Sequence, residues 1–263
     1  MLIDAHCHLG DEQFTIDLDA VIARAQAAGV SAIITAGVDV ESSRAAIALA
    51  ERYEIVYAVV GIHPEHATTF DEASGKAIRQ LASHRKVVGI GEIGLDYREA
   101  WQNNPPRETQ ERALVAQLDL AAELGKPVVI HDRNAHDELM AILRRDVQLN
   151  VPTMPRGILH CFSGDLSMAR QAIDLGFLIS FAGNVTFKNA KPLQDIAKVL
   201  PLDRITIETD APFLSPWRGK RNEPANVARV VDKIAALVNV ESSVVSQATT
   251  RNSARLFGLK IDK

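Results

Sequence analysis

Cysteine and long apolar runs are scarce in this sequence. With only 2 cysteines, Cys7 and Cys161, the 263-residue chain cannot depend on a disulfide framework. We expect both thiols to be reduced and buried, and a role as soft metal ligands is the alternative. No apolar run approaches the roughly 18 residues that a membrane span needs. The sequence shows no signal peptide, so we expect a cytoplasmic location and no membrane contact.

An excess of positive charge is also missing. The chain has 29 Lys and Arg against 33 Asp and Glu, which gives a formal net charge of −4. Proteins that hold nucleic acid broadly through its phosphates are usually basic, so any contact with nucleic acid must be local. The one basic cluster is Arg218-Gly219-Lys220-Arg221, and such clusters are most often solvated loops.

What the sequence contains is a regular alternation of short apolar runs and longer amphipathic segments. Several of the short runs are near-continuous in Val, Ile, Leu and Ala, which is typical of buried parallel strands. The predicted strands are Leu2–Leu9, Ala32–Val38, Val56–Ile62, Val87–Ile93, Pro127–His131, Gly157–Phe162, Phe177–Ala182 and Ile205–Thr209. The predicted helices are Asp17–Ala28, Ser42–Tyr53, Asp71–Ala82, Arg107–Leu124, Ala135–Arg145, Leu166–Leu175, Lys191–Leu200 and a region from about Ala225 to Leu256.

This alternation predicts the fold class. Eight strand-helix repeats in a chain of 263 residues indicate an α/β protein with a single (β/α)8 TIM barrel. No GxGxxG follows the first strand, so a dinucleotide-binding fold lacks its signature. No linker, low-complexity segment or charge block divides the chain, and we expect residues 1–263 to form one domain.

Polar residues gather at the predicted C-terminal ends of the strands, where barrel active sites are built. His6 and His8 are two residues apart in a strand, so both rings should point to the inside of the barrel. Buried carboxylates must be paired or bound to metal, and a metal site would account for all the polar strand ends together. The predicted metal ligands are His6, His8, Glu92, His131, His160 and Asp210.

The number of ligands suggests two divalent ions per chain. A first ion would be held by His6, His8, Glu92 and Asp210. A second would be held by Glu92, His131 and His160, with Glu92 bridging the pair. Mixed imidazole and carboxylate ligands suit Zn²⁺, Mn²⁺, Ni²⁺ or Fe better than an all-oxygen Mg²⁺ or Ca²⁺ cage, although Mg²⁺ could still act as an activator.

Other polar residues should share this face of the barrel. Asp4 lies two residues before the first predicted ligand and could accept a hydrogen bond from its ring, and Glu208 stands in the same relation to the last ligand. Arg133 offers a planar fork for a phosphate or carboxylate. His63 is expected to touch substrate or leaving group rather than metal. The histidines expected in solvent are His66, His84 and His136.

At these positions the sequence resembles the TatD family of metal-dependent deoxyribonucleases, within the amidohydrolase superfamily. The resemblance covers essentially the whole chain, apart from the stretch Arg98–Pro106, which we do not align. Glu92 stands where many other amidohydrolases have a carboxylated lysine. The motifs are Ile3-Asp4-Ala5-His6-Cys7-His8-Leu9, Gly61-Ile62-His63-Pro64, Gly89-Ile90-Gly91-Glu92-Ile93-Gly94-Leu95-Asp96-Tyr97, Val129-Ile130-His131-Asp132-Arg133, His160-Cys161-Phe162-Ser163-Gly164, Glu208-Thr209-Asp210-Ala211-Pro212-Phe213-Leu214 and Arg218-Gly219-Lys220-Arg221-Asn222-Glu223-Pro224.

The resemblance implies hydrolysis of DNA phosphodiester bonds by a water that the metals activate. We expect the enzyme to remove nucleotides from single strands or frayed ends. Asp210 is the candidate general base, and Glu92 and His63 complete the catalytic set. Arg133 and His63 would neutralise charge on the phosphate. The loop with Arg218 and Arg221 should overhang the site and hold the DNA backbone.

Two rival functions use the same residues. The first is an ester or amide hydrolase, such as an enzyme that removes a D-amino acid from tRNA or a small-molecule amidohydrolase, because the same ligands serve attack on carbon. The second is a metal-binding or scaffold protein without activity, which the open coordination positions argue against. The sequence does not predict the oligomeric state, and a monomer is compatible with it.

Overall fold

The computed structural model contains a barrel of eight parallel strands arranged in the order of the chain. It describes residues 1–98, 104–149 and 156–260, apart from the side chains of residues 147–149. The strands are β1 Leu2–Cys7, β2 Val30–Ala36, β3 Val56–Val60, β4 Val87–Asp96, β5 Val128–Arg133, β6 Gly157–Leu159, β7 Phe177–Phe181 and β8 Ile205–Ile207. The predicted (β/α)8 TIM barrel is therefore confirmed.

Helices follow the strands and cover the outside of the barrel. They are α1 Leu18–Ala27, α2 Val40–Arg52, α3 Glu72–Ala82, α4 Arg107–Leu124, α5 His136–Leu149, α6 Leu166–Asp174, α7 Lys191–Val199, α8 Val227–Val238 and α9 Ser242–Phe257. The helical region predicted from Ala225 to Leu256 is two helices, because Asn239 ends α8 with a φ of 56°. Across the described ranges, no helix combines the length and the apolar character that a membrane span requires.

Backbone hydrogen bonds just beyond the last strand join it to the first. The amide of His8 donates to the carbonyl of Ala211 at 2.7 Å, and the amide of Asp210 donates to the carbonyl of His6 at 3.0 Å. These bonds close the barrel at its C-terminal mouth. They also place the His6–His8 segment beside Asp210, although the two segments are about two hundred residues apart in the chain.

Asp4 has a different role from the one expected. It is fully buried, and its two carboxyl oxygens accept hydrogen bonds from the amide of Thr209 at 2.8 Å and from its hydroxyl at 2.6 Å. Burial raises the pKa of Asp4 well above its ordinary value. The expectation that Asp4 fixes the ring of His6 is wrong, because Nδ1 of His6 has no hydrogen-bond partner within the described residues.

Each strand ends at a different residue from the one predicted, and the differences in three strands matter for the site. Strand β4 continues to Asp96, three residues beyond the predicted end at Ile93. Strands β6 and β8 end earlier, because Cys161 and Asp210 have φ values of 43° and 56°, outside the extended region. His160 and Asp210 therefore lie on the loops that leave the barrel rather than within the strands.

The closest approach of two strands near the site requires a glycine. Gly94 in β4 pairs with His131 in β5 and has a φ of 151°. A Cβ atom at Gly94 would lie 1.9 Å from the carbonyl oxygen of His131. Any side chain at this position must therefore push β4 away from β5, the two strands that carry Glu92 and His131.

We predict that Gly94→Ala destabilises the protein by about 2 kcal/mol or more, because a backbone collision cannot be relieved by a side-chain rotation. Denaturant unfolding measures the change. The matched control is Gly10→Ala, where an added Cβ meets nothing within 4 Å. The control should change stability by less than about 0.5 kcal/mol. Equal stability of both variants would contradict the assigned strand contact.

Candidate metal centre

Six polar side chains from five strand ends converge at the C-terminal mouth of the barrel. They are the predicted ligands His6, His8, Glu92, His131, His160 and Asp210. Their nitrogen and oxygen atoms fall into three overlapping groups, and within each group the atoms lie within 4.8 Å of one another. The groups are His6 with His8 and Glu92, His6 with His160 and Asp210, and Glu92 with His131 and a seventh residue, His63. The structure thus brings together all the side chains that the sequence predicted as metal ligands.

The first group surrounds one point between β1, β4 and the end of β8. The Nε2 atoms of His6 and His8 are 3.2 Å apart. Oε2 of Glu92 lies 3.4 Å from Nε2 of His6, and Oδ1 of Asp210 lies 3.4 Å from Nε2 of His8. Ligands bound tetrahedrally at about 2.0–2.1 Å would be about 3.3–3.4 Å apart. The four donor atoms therefore have the spacing and the chemistry that fit a divalent cation.

The second group uses the other oxygen of the same glutamate. Oε1 of Glu92 lies 2.8 Å from Nδ1 of His131 and 2.9 Å from Nε2 of His160. These two imidazole nitrogens are 3.3 Å apart. Because each carboxylate oxygen faces a different pair of histidines, Glu92 has the geometry of a ligand shared by two ions.

Both carboxylates of the centre have a pKa below the ordinary value, which favours the ionised form. Burial opposes ionisation of Glu92, but the neighbouring rings of His160, His63 and His6 outweigh it and hold its pKa well below the ordinary value. Burial also opposes ionisation of Asp210, but the hydrogen bond from His8 outweighs it and lowers the pKa. Two buried anions among imidazoles form a donor set that a cation would stabilise.

Asp96 orients His131 and was not assigned a role from the sequence. Its Oδ2 lies 3.0 Å from Nε2 of His131, and Arg98 holds the carboxylate with its Nε at 2.9 Å from Oδ1. A proton on Nε2 of His131 leaves the lone pair of Nδ1 free to bind metal. The sequence analysis missed Asp96 because it ended β4 at Ile93, although Glu92 and Asp96 share one face of an extended strand.

Glu208 orients His160 rather than Asp210, and the expectation for this residue is wrong. Its Oε1 lies 3.3 Å from Nδ1 of His160 and accepts a hydrogen bond of 2.7 Å from the amide of Cys161. Its Oε2 accepts a hydrogen bond from the hydroxyl of Ser180. These contacts fix Nδ1 of His160 as the protonated nitrogen and leave Nε2 for metal.

His63 has the opposite arrangement of its ring nitrogens. Its Nδ1 accepts a hydrogen bond of 3.2 Å from the amide of Glu65, and its Nε2 lies 3.4 Å from Oε1 of Glu92. Burial lowers the pKa of His63 to about 4. A neutral ring whose Nδ1 accepts a bond carries its proton on Nε2. His63 therefore presents a donor to the centre, whereas a metal ligand needs a lone pair there.

A cavity of about 750 Å³ opens above the centre. Its lining carries both acidic and basic side chains. The acidic side chains in the lining, apart from those of the metal centre, are Asp11, Asp39, Glu41, Glu65 and Asp132. The basic side chains are Arg98 and Arg133. Arg133 is exposed and has no ion pair within the described part of the chain. Its guanidinium is therefore available to an anionic substrate group.

The basic loop after β8 does not supply Arg221 to the cavity. Both terminal nitrogens of Arg221 lie 2.8 Å from the carboxylate oxygens of Asp17, and its guanidinium lies 4.6 Å from the ring centroid of Phe14. This bidentate pair commits the guanidinium to the contact with α1. Arg218 is exposed, and it too is absent from the lining of the cavity as far as the described residues show.

The cysteines take no part in the candidate metal groups of the described residues. Cys7 is buried, whereas Cys161 is partly exposed and lines the cavity. Burial raises the pKa of both thiols well above the ordinary value, which disfavours the thiolate that a metal ligand must be.

Of the histidines expected in solvent, His136 lies 2.6 Å from a carboxylate oxygen of Asp132, and His84 lies 3.1 Å from one of Glu51.

Comparisons with known proteins agree over almost the whole chain. Residues 3–258 match the family described as TatD related DNase. The uncharacterized metal-dependent hydrolase YabD of Bacillus subtilis is 41% identical, over 98% of this chain and 99% of its own. The 3′-5′ ssDNA/RNA exonuclease TatD of Klebsiella pneumoniae is 34% identical, over 99% of each chain. The crystal structure of YJJV, a TatD homologue from Escherichia coli K12, superposes with a TM-score of 0.89 at 34% identity, over 98% of each chain.

The hydrogen bond between Asp96 and His131 gives a testable prediction. Asp96→Asn should weaken the affinity for Zn²⁺ by about 10–100-fold, because the neutral amide no longer holds the ring with Nδ1 free. Titration with Zn²⁺ against a competing chelator measures the affinity. The matched control is Asp195→Asn, an exposed carboxylate paired with Lys191, which should bind Zn²⁺ as the unaltered protein does. An unchanged affinity in Asp96→Asn would refute the orienting role.

Proposed function

The chain belongs to the family of TatD-related DNases and is a metal-dependent hydrolase. From this premise we propose that it cleaves phosphodiester bonds at the ends of single-stranded or frayed DNA. The observation that carries the proposal is the position of Glu92 between two groups of histidines, beneath a cavity that holds an unpaired arginine among the described residues. A relative bearing the name of a 3′-5′ ssDNA/RNA exonuclease supports the choice of substrate.

We propose two divalent ions per chain, of Zn²⁺, Mn²⁺, Ni²⁺ or Fe, with Mg²⁺ as a possible activator in assays. The first group of ligands is His6, His8, Glu92 and Asp210. The second is Glu92, His131 and His160. When bound, the ions supply an activated water at neutral pH and positive charge next to the phosphate.

The side chains of the chain itself divide the remaining work. Asp210 is ionised and faces the cavity, so its carboxylate can accept the proton of the attacking water. The Nε2 proton of His63 can be donated in a hydrogen bond to a phosphate oxygen. Arg133 can pair with a second oxygen and orient the phosphate. Glu92 keeps the two ligand groups in register by touching both.

One observation favours a second candidate function. The acidic wall of the cavity, which includes Asp39, Glu41 and Glu65, would attract the ammonium group of an aminoacyl ester. A deacylase that removes a D-amino acid from tRNA would place that ammonium against this wall and its ester carbonyl at the metals. The same ligand set would serve both reactions, so the substrate must be decided by assay.

Three expectations from the sequence stay predictions. They are the cytoplasmic location, the organisation of residues 1–263 as one domain and the contact of Arg218 with the DNA backbone. The oligomeric state is left to measurement, since the proposed site is complete within one chain.

A substrate panel tests the proposed function. We expect the purified protein, with one to two equivalents of transition metal per chain, to release nucleotides from single-stranded DNA and to lose this activity with a chelator. The rate should fall as salt is raised, because the grip on phosphate is ionic. A D-aminoacyl ester and a simple amide complete the panel. Cleavage of the ester with no cleavage of any polynucleotide would establish the deacylase instead.

Two substitutions separate chemistry from binding. Asp210→Asn should lower kcat by about 10²-fold or more, because the amide keeps the size of the side chain but not its basicity. Arg133→Ala should mainly raise KM, because it removes a contact to the phosphate. Steady-state kinetics at matched metal content measures both.

The control for the arginine is Arg112→Ala on α4, whose side chain contacts Thr109 and does not line the cavity. It should leave both constants unchanged. Near-normal turnover of Asp210→Asn with its metals bound would show that the base is another residue.

A further inference from the structure

Exposed aromatic side chains are rare in the described residues, and two of them lie on the segment between β8 and α8. Phe213 is 49% exposed and Trp217 is 46% exposed, in a chain with only 5% aromatic residues. Because single exposed apolar side chains are common on protein surfaces, the position of each ring relative to the cavity decides what it can contact. Only Phe213 lines the cavity above the metal centre.

The ring of Phe213 is held next to the centre. Its centroid lies 5.9 Å from that of His8, with the ring planes at 65°. The amide of Phe213 donates a hydrogen bond of 2.9 Å to the carbonyl of Asp210. The position of the ring is therefore tied to the backbone of one candidate ligand and to the side chain of another.

The loop around this residue is anchored from behind. The amide of Asn222 donates to the carbonyl of Pro212 at 2.9 Å, and its side-chain amide donates to the carbonyl of Thr209 at 2.8 Å. Asn222 itself is fully buried. Phe213 is thus an apolar ring on a fixed loop, with about half of its surface turned to solvent at the edge of the cavity.

We propose that Phe213 is a stacking platform for the nucleobase of the nucleotide whose phosphate enters the metal centre. This inference rests on the proposed function and adds a base-binding site to it. Every nucleobase has a flat face, so stacking on an aromatic ring holds any sequence. If a phosphate binds between the two ligand groups, the base of the same nucleotide can reach the ring of Phe213, which packs against His8.

Trp217 offers a matched comparison. It has nearly the same exposure and lies on the same loop, but its ring packs under Arg229, whose guanidinium carbon is 5.3 Å from the ring centroid. It is absent from the lining of the cavity as described. Replacing Trp217 therefore removes an exposed aromatic ring from the loop without changing the cavity, whereas replacing Phe213 removes the ring that lines it.

The experiment compares single-stranded oligonucleotides that are identical except for one terminal nucleotide, which carries either a base or a tetrahydrofuran abasic analogue. The pair is made for each end of the strand. At the end that the enzyme attacks, we expect the unaltered enzyme to prefer the oligonucleotide with the base by about tenfold or more in kcat/KM, the scale of one stacked base. Phe213→Ala should reduce this ratio to near one. Phe213→Trp should keep it, and Trp217→Ala should keep it as well.

The inference is overturned if Phe213→Ala keeps the ratio of kcat/KM between the base-bearing and the abasic oligonucleotide. It is also overturned if the unaltered enzyme cleaves the two oligonucleotides equally well. A purely structural support of His8 by Phe213 would lower the rates on both substrates and leave their ratio unchanged, which also overturns it. Metal content and thermal melts of each variant are measured alongside. If the unaltered enzyme cleaves neither oligonucleotide, the proposed function fails. This failure can be told apart from failure of the inference, because it is seen in the unaltered enzyme without any comparison of variants.

Discussion

The buried carboxylate of Glu92 is the interaction on which the site depends. It is only 3% exposed, and the ring nitrogens of five histidines lie 2.8–3.6 Å from its oxygens. An isolated carboxylate in such a place would be strongly unfavourable, and closely packed imidazoles would repel one another if they were charged. Each group is acceptable only in the presence of the other. The barrel must therefore bring the ends of β1, β3, β4, β5 and β6 to one point.

Three further carboxylates show how the surroundings decide the role of a chemically equivalent group. Asp96 and Glu208 each face one ring nitrogen of a histidine and so leave the other nitrogen for metal. Asp4 lies equally deep but meets the amide and hydroxyl of Thr209, where it closes the barrel. Its raised pKa reflects burial without a cationic partner, whereas the lowered pKa of Asp96 reflects His131 and Arg98 outweighing burial.

The cavity above the candidate metal centre is lined by acidic, basic and apolar side chains. Carboxylates of the β1 and β2 loops, including Asp11 and Asp39, line it together with Arg98 and Arg133 from the β4 and β5 ends, and Phe213 adds an apolar edge beside β8. The DNA end that we propose as substrate would meet the positive charge of Arg133 and the aromatic ring of Phe213, while the carboxylates would repel further phosphates. The proposal agrees with a net charge of −4, since contact with only the end of a strand requires no extended basic surface.

The sequence alone determined the barrel and the set of candidate ligands. Apolar runs repeat along the chain, and the position of His6, Glu92 or Asp210 at the end of such a run follows from local pattern. The tertiary structure alone decided which atom meets which. Asp96 reaches His131, Glu208 reaches His160, and Arg221 turns to Asp17. Each of these pairs joins segments that lie far apart in the chain. Their contacts depend on strand register and on left-handed residues at loop starts, which no local pattern contains.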